Sequence, residues 1–176
     1  MFRILFILSA LLVAAACVAC VDNNVGDTPT QAYMRLYAAV KSKDIAAIKK
    51  NLTKKTIDFG AMAADRNKTP AEKMYENGFT ATTFAETLPE IRDERVQENM
   101  GAVEVWNSRD SEWEDLPFMR EDGVWKLAVG EVFAGIYKQP TQGRAIKEKI
   151  AANALNPPPA PQANTNNAAP AVRKQK

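Results

Sequence analysis

The side chains that can do chemistry in this sequence are few and lie in separated groups. Histidine is absent, which removes Ser-His-Asp and Cys-His nucleophiles, histidine general bases, imidazole metal ligands and histidine pH switches. The two cysteines, Cys17 and Cys20, both sit at the start of the chain. The body therefore has no thiol nucleophile, disulfide or zinc–thiolate site, and no metal or cofactor is expected. Carboxylates remain. Asp110, Glu112, Glu114 and Glu121 fall at positions 1, 3, 5 and 12 of a calcium-loop count. Position 6 is Asp115, where that loop needs glycine, and the stretch reads as a hairpin rather than helix–loop–helix. Glu104 stands between Val103 and Val105, so strand period turns it away from the apolar face and toward solvent. Trp106 and Trp113 share one face of a hairpin and become cross-strand neighbours if Arg109-Asp110 is the turn. The pair reads either as an aromatic surface for a sugar, lipid or protein partner, or as a stabilising contact. Trp125 has the opposite parity and reads as core.

The elements that must position these groups are helical first and extended later. Thr28-Pro29-Thr30-Gln31 is a capping box with proline at the first helical position. Tyr33, Leu36, Tyr37 and Val40 then follow at the spacing of one helix face. Asp44 caps a second helix with Ile45, Ile48 and Leu52 inward. Thr53 starts a third, short one containing Ile57 and Ala61, with Gly60 and Asn67 counting against it. Thr69-Pro70-Ala71-Glu72 is another capping box, stopped at Gly78. Beyond it the period becomes two. Ile91 to Gln97, Ala102 to Trp106, Trp113 to Met119 and Val124 to Val129 read as strands. Asp122-Gly123 is a two-residue turn that sets Phe118 opposite Leu127 and Leu116 opposite Val129. Pro117 conflicts with a central strand unless a bulge relieves it. Glu131 to Lys138 is ambiguous between strand and helix, and Ala145 to Ala154 closes the fold as a helix with Ile146 and Ile150 on one side. Helices followed by an antiparallel meander make an α+β domain with helices packed on one face of the sheet.

The ends have their own composition. Arg3, the apolar run Ile4 to Val13 broken only by Ser9, and the small residues Ala14 to Ala16 form a secretory signal peptide over residues 1–16, too short to span a bilayer. Residues 17–27 read as a tether, 28–155 as the folded domain, and 156–176 as a disordered Pro/Ala/Asn-rich tail. The chain has 23 Lys and Arg against 21 Asp and Glu, a balance that argues against nucleic acid as a partner. The charges are segregated: Arg35 to Lys55 holds seven basic and one acidic side chain, and Glu86 to Asp122 holds twelve acidic and four basic. A basic helical face beside a lipid anchor suits anionic headgroups. Two solvated faces, or complementarity within the molecule or a dimer, account for the same pattern.

Leu12-Val13-Ala14-Ala15-Ala16-Cys17 resembles the lipobox of bacterial lipoproteins, departing from it at Ala14, where leucine is usual. The resemblance implies that Cys17 is lipidated and becomes the N-terminus, with Cys20 as the alternative, and that the chain is membrane-anchored in the cell envelope. The body is similar to the nuclear-transport-factor-2-like (cystatin-like, cone-shaped) superfamily over Thr28 to Gly130. The likeness rests on TPTQAYMRLYAAVKSKDIAAIKKNL followed by TKKTI, on LPEIRDERV, and on WEDLPFMREDGVWKLAVG. It implies a curved sheet of about four strands and helices enclosing a conical pocket. Some members are isomerases, cyclases or dehydratases that use Asp with His, Arg or Tyr, and others only bind. On that resemblance Glu104 would sit in the cone with Tyr33, Tyr37 or Arg35, and a desolvated carboxylate there could serve as a base. The expected function is an envelope-anchored domain that binds a small apolar ligand or an envelope protein without catalysis, through the cone or the Trp106/Trp113 surface. A homodimer through the sheet is compatible with it. The alternatives are a small isomerase- or hydrolase-type enzyme, and an assembly lipoprotein whose tail reaches a partner.

Overall fold

The computed structural model describes residues 27–155. The expected signal peptide, Cys17 and Cys20, the expected tether up to residue 26 and the expected tail from residue 156 lie outside the described residues. Helix α1 (Pro29–Lys41) starts as its sequence requires: the Thr28 hydroxyl accepts from the Gln31 N–H and Pro29 occupies the first turn. Asp44 caps α2 (Ile45–Lys50) through the Ala47 N–H, and Thr53 caps α3 (Lys54–Asn67) through the Thr56 N–H. At 14 residues α3 is long rather than short. Gly60 does not break it, because the missing side chain lets the rings of Tyr75 and Phe79 lie against its backbone.

Helix α4 (Ala71–Tyr75) has no side-chain cap. The expected capping box fails there because the Thr69 hydroxyl turns to the Met74 sulfur instead. Gly78 has a left-handed φ of 65°, the conformation that suits glycine after a helix. A one-turn helix that the sequence pattern does not announce follows, α5 (Ala81–Phe84), capped by Thr80.

The second half is a four-stranded antiparallel sheet in the order β1 (Ile91–Gln97), β2 (Met100–Asn107), β3 (Glu112–Glu121) and β4 (Val124–Leu127). It is an open meander, so the fold is α+β with helices against one sheet face. The Asp122-Gly123 turn has positive φ at both residues, 54° and 79°, as a two-residue hairpin of the primed type needs. It sets Phe118 opposite Leu127. The expected pairing of Leu116 with Val129 does not form. β4 ends at Leu127, and Val129 opens a further helix, α6 (Val129–Phe133); of the ambiguous stretch Glu131 to Lys138 only the first three residues are helical, and the rest is turn and irregular chain.

That early ending also answers the Pro117 conflict. The Pro117 carbonyl accepts from the Ala128 N–H, so its nitrogen faces the side where β4 has already stopped and no ladder donor is missing. No bulge is needed, and β2 and β3 keep continuous register through it. The sheet's irregularity lies at the other edge, between Ile91 and Asp93.

The core lies between the helices and one sheet face. Tyr33, Leu36 and Val40 of α1, Ile48 and Leu52, and Tyr75 meet Val103, Val105, Leu116, Phe118, Trp125 and Leu127. Burial of this apolar surface is the main stabilising contribution. Asp27 belongs to the fold rather than to a loose tether: it accepts from the Trp125 N–H at 3.0 Å and pairs with Arg35 at 2.6 Å.

Helix α7 (Arg144–Leu155) behaves differently. None of its residues is buried, and Ile146 and Ile150 point outward, 42% and 52% exposed.

Candidate functional site

Among the described residues the middle of the helix-facing sheet side is filled by core side chains. Tyr33 is fully buried there, and its hydroxyl donates to the Thr82 carbonyl at 3.2 Å. Burial pushes its pKa up to about 12 against that hydrogen bond, so it stays protonated and acts as a structural donor. Tyr37 is half-buried, and its hydroxyl reaches the Ala85 and Glu86 carbonyls at 3.3 and 3.1 Å, tying α1 to the end of α5. Arg35 is spent on Asp27 and on the helix surface. The structure therefore does not bring Tyr33, Tyr37 or Arg35 to Glu104.

Glu104 is on the opposite sheet face, as strand period requires, yet it is not solvated: its exposure is 1%. It accepts from the Arg92 Nε–H and, at 2.9 Å, from the Ala145 N–H. Beside it Arg95 pairs with Asp93 at 2.6 Å and with Asp115 at 2.5 Å, and Gln139 donates to Asp115. Arg92 also reaches Glu148 at 3.1 Å. The segment from Tyr137 to Glu148 thus crosses the outer sheet face as a strap that buries Glu104 and Arg95 and leaves Arg92, Asp93 and Asp115 partly exposed. Gly143 is where the strap comes closest. A Cβ there would lie 2.6 Å from Asp115, 2.7 Å from Glu104 and 2.8 Å from Arg95. The Arg92 Nη2 and Arg95 Nε nitrogens are buried without a hydrogen-bond partner among the described residues. Apart from those two nitrogens, the charged groups of this network are committed to internal pairs that hold the strap.

Trp106 and Trp113 are cross-strand partners, with ring centroids 5.3 Å apart at 64°. Both are half-buried, and the Arg92 guanidinium lies 4.1 Å above the Trp113 ring. Their pairing follows from the register expected for the 108–111 turn. Through Trp113 the pair supports Arg92, a role the sequence does not reveal.

The cavity that does open lies at the unpaired part of β3. Because β4 is only four residues long, residues before Pro117 have no strand on that side. A cavity of about 330 Å³ forms there, walled by Phe79, Leu116, Val129 and Val132 and bounded by Tyr137 and Gln139 of the strap. Its free carboxylate is Glu114. Asn107 donates to one Glu114 oxygen at 3.3 Å. Burial raises the Glu114 pKa above the ordinary carboxylate value, the Asn107 hydrogen bond opposes the rise, and the neighbouring charges of Asp110 and Glu112 add to it. In the sequence Glu114 stands out only as one position of an unfilled calcium count. The hairpin geometry is as expected, and the signal that singles Glu114 out, the early end of β4, is tertiary.

A second, wider depression of about 580 Å³ lies between α3 and α6, with Phe59, Met62 and Phe133 along it. Phe59 and Phe133 stack at 4.4 Å. Between these two helices Glu131 is buried, and it accepts from the Thr53 hydroxyl at 2.8 Å. The Gly130 N–H donates to the Thr56 hydroxyl at 3.0 Å. Glu131 is thus a joint between α3 and α6 rather than a reactive group.

The chain matches no family model, no curated protein and no solved structure. Among the described residues no helix is long and apolar enough to cross a membrane, and no group of three His, Cys, Asp or Glu side chains is placed to hold a metal ion.

Proposed function

We propose that this chain is a lipid-anchored envelope protein whose domain binds a small, mainly apolar ligand without catalysis, in the cavity beside β3. The observation that carries the reading is the cavity itself. Its walls are apolar, a few polar groups converge on it, and its volume lies near the lower end of the roughly 300–1,000 Å³ range of small-molecule sites. The resemblance to bacterial lipoproteins supplies the anchor at Cys17, with Cys20 as the alternative, and the similarity to the cone-shaped superfamily supplies the precedent of a binding α+β domain. The Trp106/Trp113 pair is a supporting wall of the outer face in this reading, not the ligand surface.

One observation favours the second reading, a small isomerase- or hydrolase-type enzyme. A carboxylate with a raised pKa, Glu114, borders the cavity, as a general base would. Glu104 has no part in either reading, because it is sealed under the strap.

The test is saturable binding of 1-octanol to the purified domain, followed by ligand-observed NMR. Wild type should bind, and Val132→Trp, which adds bulk at the exposed rim of the cavity, should weaken binding at least tenfold. Met62→Trp, in the depression between α3 and α6, should leave it unchanged. Absence of binding, or loss only in Met62→Trp, would overturn the placement. Fatty-acid labelling that is lost in Cys17→Ser tests the anchor. Label that persists there but is lost in Cys20→Ser moves the site to Cys20.

A further inference from the structure

The polar side of the cavity has one sign of charge. Two of its lining residues are carboxylates, Glu114 and Asp115, and none is Lys or Arg. The two carboxylates are not equivalent. Asp115 is committed to Arg95 and Gln139. Glu114 has a single donor among the described residues, Asn107 at 3.3 Å, on one oxygen, and Asp110 and Glu112 lie close enough to add negative potential. A ligand that left this carboxylate without a donor would keep a half-buried charge poorly paired, and a ligand carboxylate would meet like charge. Both are unfavourable in a partly desolvated site.

Resting on the binding reading above, we infer that the cavity selects a cationic amphiphile: a primary amine whose ammonium group pairs with Glu114 while its hydrocarbon body lies against Phe79, Leu116, Val129 and Val132. An ammonium supplies charge-assisted donors to the free carboxylate oxygen, the stronger kind of hydrogen bond. The apolar walls supply the rest of the affinity through area removed from water. Tyr137 is not a competing polar anchor, since its hydroxyl is already spent on the Gly101 carbonyl at 2.5 Å.

The experiment compares n-octylamine, 1-octanol and octanoate on the same protein at pH 7.5 by isothermal titration calorimetry. The three share a chain and differ in the head group. Octylamine is expected to bind at least tenfold more tightly than octanol, and octanoate more weakly than octanol. Glu114→Gln, which keeps the side chain's shape, should bring octylamine to the octanol level. Octanol and octylamine binding equally to wild type would overturn the amine selectivity while leaving the cavity reading intact. So would octylamine affinity that survives Glu114→Gln. Failure of all three ligands to bind would overturn both. The wild-type comparison alone decides the matter if Glu114→Gln does not fold.

Discussion

Removing the Glu104 carboxylate should damage this protein far more than a residue on the solvent side of a sheet ordinarily would. In Glu104→Ala the Arg92 guanidinium loses its buried partner. Arg92 is itself 13% exposed in its side chain and already carries one nitrogen without a hydrogen bond. The Ala145 N–H also loses its acceptor, so the strap is loosened at the same stroke. Breaking a buried pair from one side costs about 3–5 kcal/mol, against a total stability of about 5–15 kcal/mol for a domain. With a urea m-value near 1.5 kcal/mol/M, the unfolding midpoint should fall by roughly 2–3 M.

Arg92→Met should be costly for the same reason, because it leaves Glu104 charged and buried. The double variant Arg92→Met/Glu104→Leu removes both charges at similar volume and should recover to within about 1 kcal/mol of wild type. The strong non-additivity is the signature of the pair. The assay is equilibrium urea unfolding followed by tryptophan fluorescence, which Trp113 reports directly because Arg92 sits 4.1 Å above its ring. Single variants within 1 kcal/mol of wild type, or single effects that simply add in the double variant, would refute the buried network.

Three further outcomes follow from the same packing. Gly130→Ala should destabilise by about 2–3 kcal/mol, seen in the urea midpoint, because a Cβ there collides with the Lys55 backbone carbonyl and with the Thr56 nitrogen. Gly143→Ala should cost about 1–3 kcal/mol and should speed hydrogen exchange at the Ala145 amide, since lifting the strap off Asp115 and Glu104 breaks the bond that protects it. Glu114→Gln should raise the melting temperature at pH 7.5 and have little effect at pH 4. The folded-state pKa of Glu114 lies above its ordinary value. The stability it contributes is therefore complete below the unfolded pKa and is lost as pH rises through the folded one, where the carboxylate is charged and half-buried.

Local rules read well where local physics decides. Thr28 and Gln31 announce α1, Asp44 and Thr53 announce the next two helices, and Asp122-Gly123 fixes the register that pairs Phe118 with Leu127. Strand parity correctly separates Trp125 from Trp106 and Trp113, and Glu104 from Val103 and Val105. What parity cannot see is that the outward face is roofed. The strap that buries Glu104 comes from some 40 residues later, through Gly143 and Ala145, and no periodicity marks those residues as its partners. The same holds for the cavity. It exists because β4 stops at Leu127 and Val129 turns into α6, whereas the alternating residues of 124–129 alone read as one longer strand. Thr69 shows the converse: a complete capping-box motif is overridden when the threonine hydroxyl finds the Met74 sulfur.

We propose the cavity beside β3 as the ligand site. Methyl NMR of the domain during a 1-octanol titration tests it most directly. Saturable shifts confined to Leu116, Val129 and Val132 are the predicted result. Shifts confined to Met62, or none at any methyl, would contradict it.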